Sequence, residues 1–403
     1  MRLFINSLAA SAGGGLTYIR NVIPHLARVP DLKVAVLAGP SICEEFLAFN
    51  NIEFVPQEVP SVRRLWYEQF ELPSLLRTWR ADVLLSAGNF ALRRSPVPQI
   101  LLSRNSIYTS ADFYRDLLSR HEYRMWIDTR IRGSIARRSI HWANVTVAPS
   151  AAFALELQRW SGAKNIVAIH HGFDARSFAD DNSSLPADIE RKLQAVEDCL
   201  KLLLVSHYNY YRNFETLIRA LPVIRDELGG REVKLLLTCN LSSGENPGAY
   251  RPDAAARLLS ELGVAGMVVE LGTIPYRQLH HLYRRADMYV TPAYTETFAH
   301  PLVEAMSCGV PLVASDLPVH REICGDAAIY FSRFSAEALA RCVVRLCAEP
   351  DISKNLIRIG QERWPRFSWK QHVQEILTLS EMLLASNAHG LRERKAAHTS
   401  MNA

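Results

Sequence analysis

Two glutamates eight positions apart, Glu296 and Glu304, stand in the segment Tyr294-Thr-Glu-Thr-Phe-Ala-His-Pro-Leu-Val-Glu-Ala-Met-Ser-Cys-Gly-Val-Pro311. Paired carboxylates serve hydrolysis at a separation of ~5–9.5 Å, whereas eight residues of unbroken helix would hold their Cα atoms ~12 Å apart. Pro301 belongs at a first helical position, where its missing N–H costs nothing. Glu296 then lies in a loop and Glu304 near the start of a helix. The N–H groups of Phe298, Ala299, His300 and Leu302 crowd the positive end of that helix, a place for a diphosphate. A plainer account stays open, in which the helix dipole favours Glu304 and water solvates Glu296.

A diphosphate also calls for cations. After the apolar run Leu202–Val205 come Ser206-His207-Tyr-Asn-Tyr-Tyr-Arg212-Asn213. Arg212 offers a permanent charge and a bidentate fork, while the charge of His207 depends on pH. Either could equally be an ordinary surface residue. Near the amino terminus, Gly13, Gly14 and Gly15 follow the apolar run Leu3–Ile5 and open a helical pattern. They admit close backbone approach, but they do not fit Gly-x-Gly-x-x-Gly, so no nicotinamide cofactor is implied. A merely flexible turn is the alternative. No Asp-x-Asp occurs and no acidic or histidine cluster has metal-ligand spacing. The expectation is chemistry without metal or cofactor, in which Arg212, backbone N–H groups and the helix dipole stabilise a leaving diphosphate.

The Glu296-x7-Glu304 pair, followed by Ala305-Met-x-x-Gly309-x-Pro311-Leu-Val-Ala-Ser-Asp316, resembles the signature of retaining glycosyltransferases of family four, including polysaccharide mannosyltransferases. The resemblance runs from Glu270-Leu-Gly272 to Gly325-Asp326 and covers most of the second half of the chain; the first half matches in outline. It implies the GT-B fold, two Rossmann-like doubly wound domains facing a central cleft. It also implies that Glu304 holds the donor ribose hydroxyls and that Glu296 contacts the donor sugar near the reacting carbon. The backbone of Phe298, Ala299 and His300 would meet the distal phosphate. His207 and Arg212 stand where the family has an arginine and a lysine that clamp the diphosphate, and Gly13–Gly15 would lie over phosphates and sugar.

Two departures from the family are visible. Thr297 and Ala299 replace the glycines of its Glu-Gly-Phe-Gly, and Leu101-Leu-Ser-Arg104-Asn105-Ser106 lacks the histidine that many members place beside the sugar. Arg104 or Asn105 would then meet sugar or acceptor, unless both are simply loop residues. The stretch Arg63–Pro73 would line the acceptor side, unless most of its apolar residues are simply core. The implied activity is retaining transfer from a nucleotide-diphosphate-sugar to a glycan or lipid-linked acceptor in cell-surface polysaccharide synthesis. Alternatives are a GT-B epimerase or phosphorylase, or a non-catalytic nucleotide-sugar-binding partner subunit.

These residues need a scaffold, and short apolar runs alternating with helical periods supply a βαβ rhythm throughout. Two doubly wound α/β units are expected, 1–175 on the acceptor side and 176–365 for the nucleotide-sugar. A helix over 366–388 would pack back toward the first unit, and 389–403 would be a disordered tail. With 403 residues, 48% of them hydrophobic, the chain can build two cores. The first dozen residues read as a strand rather than a signal peptide, since Asn6 and Ser7 interrupt the apolar run. Seven scattered cysteines read as reduced thiols of a cytoplasmic protein. A net charge of +5 excludes a nucleic-acid binder built on charge. No run reaches the ~20 apolar residues of a membrane span. The arginine-rich region Tyr114–Trp142, with Leu117, Leu118, Trp126 and Ile127, would allow peripheral contact with an anionic membrane, or else be a solvated helix packed inward.

Overall fold

The computed structural model describes the backbone of residues 1–10, 13–241 and 250–401; the side chains at 13, 61 and 387–401 lie outside the description. The tail 389–403, expected to be disordered, instead has its backbone in the last helix, Trp369–Met401, as far as Met401; residues 402–403 and the opening of the glycine turn at Ser11-Ala12 fall outside the description.

Seven parallel strands form the first sheet: β1 (Arg2–Asn6), β2 (Lys33–Ala38), β3 (Ile52–Pro56), β4 (Val83–Ser86), β5 (Gln99–Leu102), β6 (Val145–Ala148) and β7 (Ile166–Ala168), in the order β3-β2-β1-β4-β5-β6-β7. Alternate residues of β1 serve opposite faces, as the period of two requires. Leu3 and Ile5 pack with Tyr18, Ile19 and Val22 of the helix Gly13–Leu26 and with Trp369, Val373 and Ile376 of the last helix, Trp369–Met401. Phe4 packs on the other side with Leu72, Leu76 and Trp79. Helices on both faces explain why the strands are apolar runs rather than alternating ones.

The second sheet has six parallel strands: β8 (Leu200–Leu204), β9 (Val233–Leu237), β10 (Val268–Glu270), β11 (Met288–Thr291), β12 (Leu312–Ser315) and β13 (Ala328–Phe331), ordered β10-β9-β8-β11-β12-β13. In each sheet the chain works outward on one side, then returns to the middle and works outward on the other. The strand order therefore reverses between β1 and β4, and between β8 and β11. Crevices beyond the carboxyl ends of strands at such a reversal are where open α/β sheets bind ligands.

The chain divides into two compact units in a way that differs from cuts at 175 and 365. The first comprises Met1–Thr109, Arg124–Gly172 and Ser368–Ala403; the second comprises Ser110–Tyr123 and Phe173–Phe367. Residues 110–123, expected with the first unit, belong to the second because ion pairs and hydrogen bonds tie them there. Within the first unit, Gly172 passes close to the start of the last helix. A Cβ at that position would lie 2.0 Å from the Trp369 backbone nitrogen, so only glycine lets the two segments pass. β3 carries the weakest strand signal in this sheet, its apolar run being interrupted by Glu53 and closed by Pro56.

Candidate functional site

The reversal between β8 and β11 collects the residues singled out in the second unit. After β8 the chain forms a short 3-10 turn, Tyr210–Arg212, and Asn213 takes a left-handed backbone (φ 57°) before the helix Phe214–Glu227. The side-chain amide of Asn213 donates to the Pro292 carbonyl at 3.0 Å, and the Tyr294 N–H donates to the Tyr211 carbonyl at 3.0 Å. These two bonds stitch the loop after β8 to the loop after β11.

Across that stitch the Arg212 guanidinium forms an ion pair with Glu296. Both side chains are largely buried, 18% and 10% exposed, and the Arg212 Nε–H is buried without a partner. Sequence reading placed the two residues in one site without seeing that each is the other's counter-ion. Glu304 lies on the helix His300–Ser307, with Pro301 in its first turn. Its carboxylate accepts a hydrogen bond from the Tyr283 hydroxyl at 2.8 Å. Burial pushes its pKa up to about 7, against the opposing pull of Tyr283 and Arg212. Tyr283, on the helix Leu279–Arg285, was not anticipated as a site residue. A tyrosine at helical spacing among apolar residues carries no sequence signal that would single it out.

Ala299 precedes that helix with φ 64°. The left-handed region costs an alanine roughly 1–2 kcal/mol, so this chain keeps the backbone that a glycine would adopt freely. Phe298 is buried against His300 (ring centroids 4.8 Å apart) and Phe367 (5.4 Å) and anchors the loop. His207 is exposed, and only its carbonyl is used, accepting from Ser206 Oγ at 2.7 Å.

In the first unit, Gly13–Gly15 form the first turn of the helix Gly13–Leu26 rather than a loop ahead of it. A Cβ on Gly14 would meet open space, whereas one on Gly15 would lie 3.0 Å from the Ala10 Cα. Arg104 follows β5 and reaches back to this turn, donating from Nη1 to the Gly14 carbonyl at 2.7 Å and from Nη2 to the Ala87 carbonyl at 2.6 Å. Asn105 caps the short turn Ser106–Tyr108, its Oδ1 accepting from the Ile107 N–H at 3.3 Å.

The segment Ser110–Tyr123 sets a polar cluster against Tyr210, Glu215 and Tyr294, residues near Arg212 and Glu296 in sequence. Asp116, on the helix Ala111–Ser119, accepts from the Tyr294 hydroxyl at 2.7 Å and pairs with Arg120 at 2.7 Å. Arg120 pairs onward with Glu215 at 2.9 Å and lies over the Tyr210 ring, 4.2 Å from its centroid. The Tyr210 hydroxyl donates to Glu122 at 3.0 Å. Arg120 is therefore no free surface cation, and Leu117 is core, so the region Tyr114–Trp142 is less basic at its surface than its composition implies. Among the described residues no group of three or more His, Cys, Asp or Glu could hold a metal ion. No helix among them is long and apolar enough to cross a membrane.

Two family models match the chain, "Glycosyltransferase Family 4" over residues 12–177 and "Glycosyl transferases group 1" over residues 187–363. Among curated relatives, the O-antigen chain mannosyltransferase B of Escherichia coli is 28% identical over 118 residues, 29% of this chain and 31% of that protein. The D-inositol 3-phosphate glycosyltransferase of Corynebacterium aurimucosum is 25% identical over 208 residues, 51% of this chain and 48% of that protein. These matches span half the relatives' length or less. Similar solved structures include a sucrose-phosphate synthase from Thermosynechococcus elongatus (TM-score 0.73, 18% identity, covering 96% of this chain and 100% of that one). Another is Anabaena HepE in complex with UDP-glucose (TM-score 0.66, 18% identity, covering 94% and 100%). The fold is that of the GT-B glycosyltransferases.

Proposed function

The chain belongs to glycosyltransferase family 4, and from that premise we propose that it transfers a sugar, with retention at the anomeric carbon, from a nucleotide-diphosphate donor to a glycan or lipid-linked acceptor of a cell-surface polysaccharide. The observation that carries this reading is the Arg212–Glu296 pair at the reversal between β8 and β11. Arg212 exchanges part of its bond with Glu296 for the donor diphosphate, and Glu296 is released to the sugar hydroxyls. Glu304 receives the ribose, and the N–H groups at Phe298, Ala299 and His300 face the distal phosphate. The acceptor hydroxyl attacks the anomeric carbon from the face the diphosphate leaves, through an oxocarbenium-like transition state. The departing phosphate oxygen takes the acceptor proton. Growing negative charge on the leaving group is met by Arg212 and fixed dipoles, without metal or cofactor. The UDP-glucose complex among the similar structures supports a nucleotide-sugar donor, and the O-antigen chain mannosyltransferase supports transfer of a sugar.

The test is a screen of UDP-, GDP- and ADP-sugars for thermal stabilisation, followed by a transfer assay with and without EDTA. A donor at ~100 times its Kd adds ~2.7 kcal/mol, and turnover should survive EDTA. Stabilisation without any transfer would favour the partner-subunit reading, and epimerised or phosphate-dependent products would favour the other GT-B activities.

The place of action is proposed to be the cytoplasmic face of an anionic membrane. On the helix Ser61–Phe70, Val62, Trp66 and Phe70 form one exposed stripe, 91%, 56% and 65% accessible. Ile127 and Ile131 are exposed on Tyr123–Trp142, with Arg124, Arg137 and Arg138 exposed on the same helix. Aromatic anchors among cations suit a lipid surface, each cation near it contributing about 1 kcal/mol. Co-sedimentation with anionic vesicles should fall at high salt and be weak with neutral ones. Equal recovery in every supernatant would overturn this placement.

A further inference from the structure

The first unit holds a cation without a counter-ion. The Arg104 guanidinium has five N–H groups; the Gly14 and Ala87 carbonyls take two of them, and the Nε–H is buried with no partner. Among the described residues no carboxylate pairs with it, and its close charged or aromatic neighbour is the Tyr18 ring, 5.0 Å away. Burial lowers its pKa to about 10, with little to oppose the effect.

The neighbours supply no negative charge. His372 is held between the His170 carbonyl (2.8 Å) and the Tyr18 hydroxyl (3.0 Å), and burial keeps it neutral, its pKa lowered to about 4. Burial likewise keeps the Tyr18 phenol protonated. A glutamine could donate to a carbonyl without burying a charge, so a clamp on the glycine turn does not by itself call for arginine. Arg104 also sits just past the carboxyl end of β5, the edge at which parallel sheets receive ligands.

We infer that Arg104 recognises an oxyanion carried by a sugar substrate, a carboxylate or a phosphate, and so selects an anionic sugar over its neutral counterpart. The inference rests on the glycosyl-transfer reading for the identity of the ligand, while its test reads binding alone. Three arms separate the sources. UDP-glucuronate against UDP-glucose probes a donor carboxylate, glucose 6-phosphate against glucose probes an acceptor phosphate, and UDP alone probes the diphosphate. Each is titrated calorimetrically into wild type, Arg104→Gln and Arg104→Lys, with circular dichroism confirming the fold.

In wild type one of the two sugar pairs should favour the anionic member by about tenfold or more, the size of one charge-assisted hydrogen bond. Arg104→Gln should bring that ratio to about one with UDP affinity unchanged, and Arg104→Lys should keep part of it. Ratios near one in both wild-type pairs overturn the proposal, and that result stands even if the glutamine variant does not fold. An equal loss of UDP affinity and of both members of each pair would also overturn it, leaving Arg104 a clamp on the glycine turn. Absence of turnover with every donor would defeat the transferase reading but leave the sugar-phosphate arm decisive.

Discussion

At Glu304, burial and the proposed donor-binding role pull in opposite directions. A glutamate ordinarily titrates near 4.5, and this one is raised to about 7, first by burial. The folded state therefore holds a proton that the unfolded state has released between those values. Stability from this group is intact below about 4.5 and falls as pH rises toward 7. At 1.36 kcal/mol per unit the loss is on the order of 3 kcal/mol. Glu304→Gln escapes it while still accepting from Tyr283. Urea denaturation should show the variant gaining on wild type from pH 5 to pH 8; a constant difference would place the carboxyl pKa elsewhere. The same variant, and Glu296→Gln, should lose most transferase activity while folded. Because both are proposed to act on one bound donor, their losses should combine far from additively.

At the scale of elements, the helix Ala111–Ser119 matters more than its place in the chain implies. It leaves the first sheet's connections and sets Asp116 against Tyr294, two residues before Glu296, while Arg120 pairs with Glu215, three residues after Arg212. Both arms of the Arg212–Glu296 pair thus lean on one helix. Asp116→Asn keeps an acceptor for Tyr294 but drops the charge opposite Arg120, at an expected cost of about 1–3 kcal/mol. Kinetics should show a raised KM for the donor and a lowered kcat, both recovered in part by Asp116→Glu. Wild-type kinetics in a destabilised Asp116→Asn protein would make the contact structural alone. Aspartates and arginines at helical spacing were read in the sequence as a basic surface, because pairing with Glu215, nearly a hundred residues on, leaves no local trace.

At the scale of the whole chain, two stretches of the first unit far apart in sequence pass closely at Gly172. Gly172→Ala forces its Cβ against the Trp369 backbone, an overpacking expected to cost about 1–3 kcal/mol or more. A lowered Tm together with faster amide exchange at the start of the helix Trp369–Met401 would confirm it; an unchanged Tm would show that the segments separate freely. Local periodicity determined the two α/β sheets, the loop position of Glu296, the helix carrying Glu304 and the family, since strand runs, Pro301 and the Glu-x7-Glu spacing act within a few residues of one another. Tertiary structure decided the rest. That Arg212 pairs with Glu296, that Tyr283 holds Glu304, that Arg104 stands without a carboxylate and that residues 110–123 join the second unit all depend on groups far apart in sequence. Charge and burial act through space, and only the fold sets which distant groups meet.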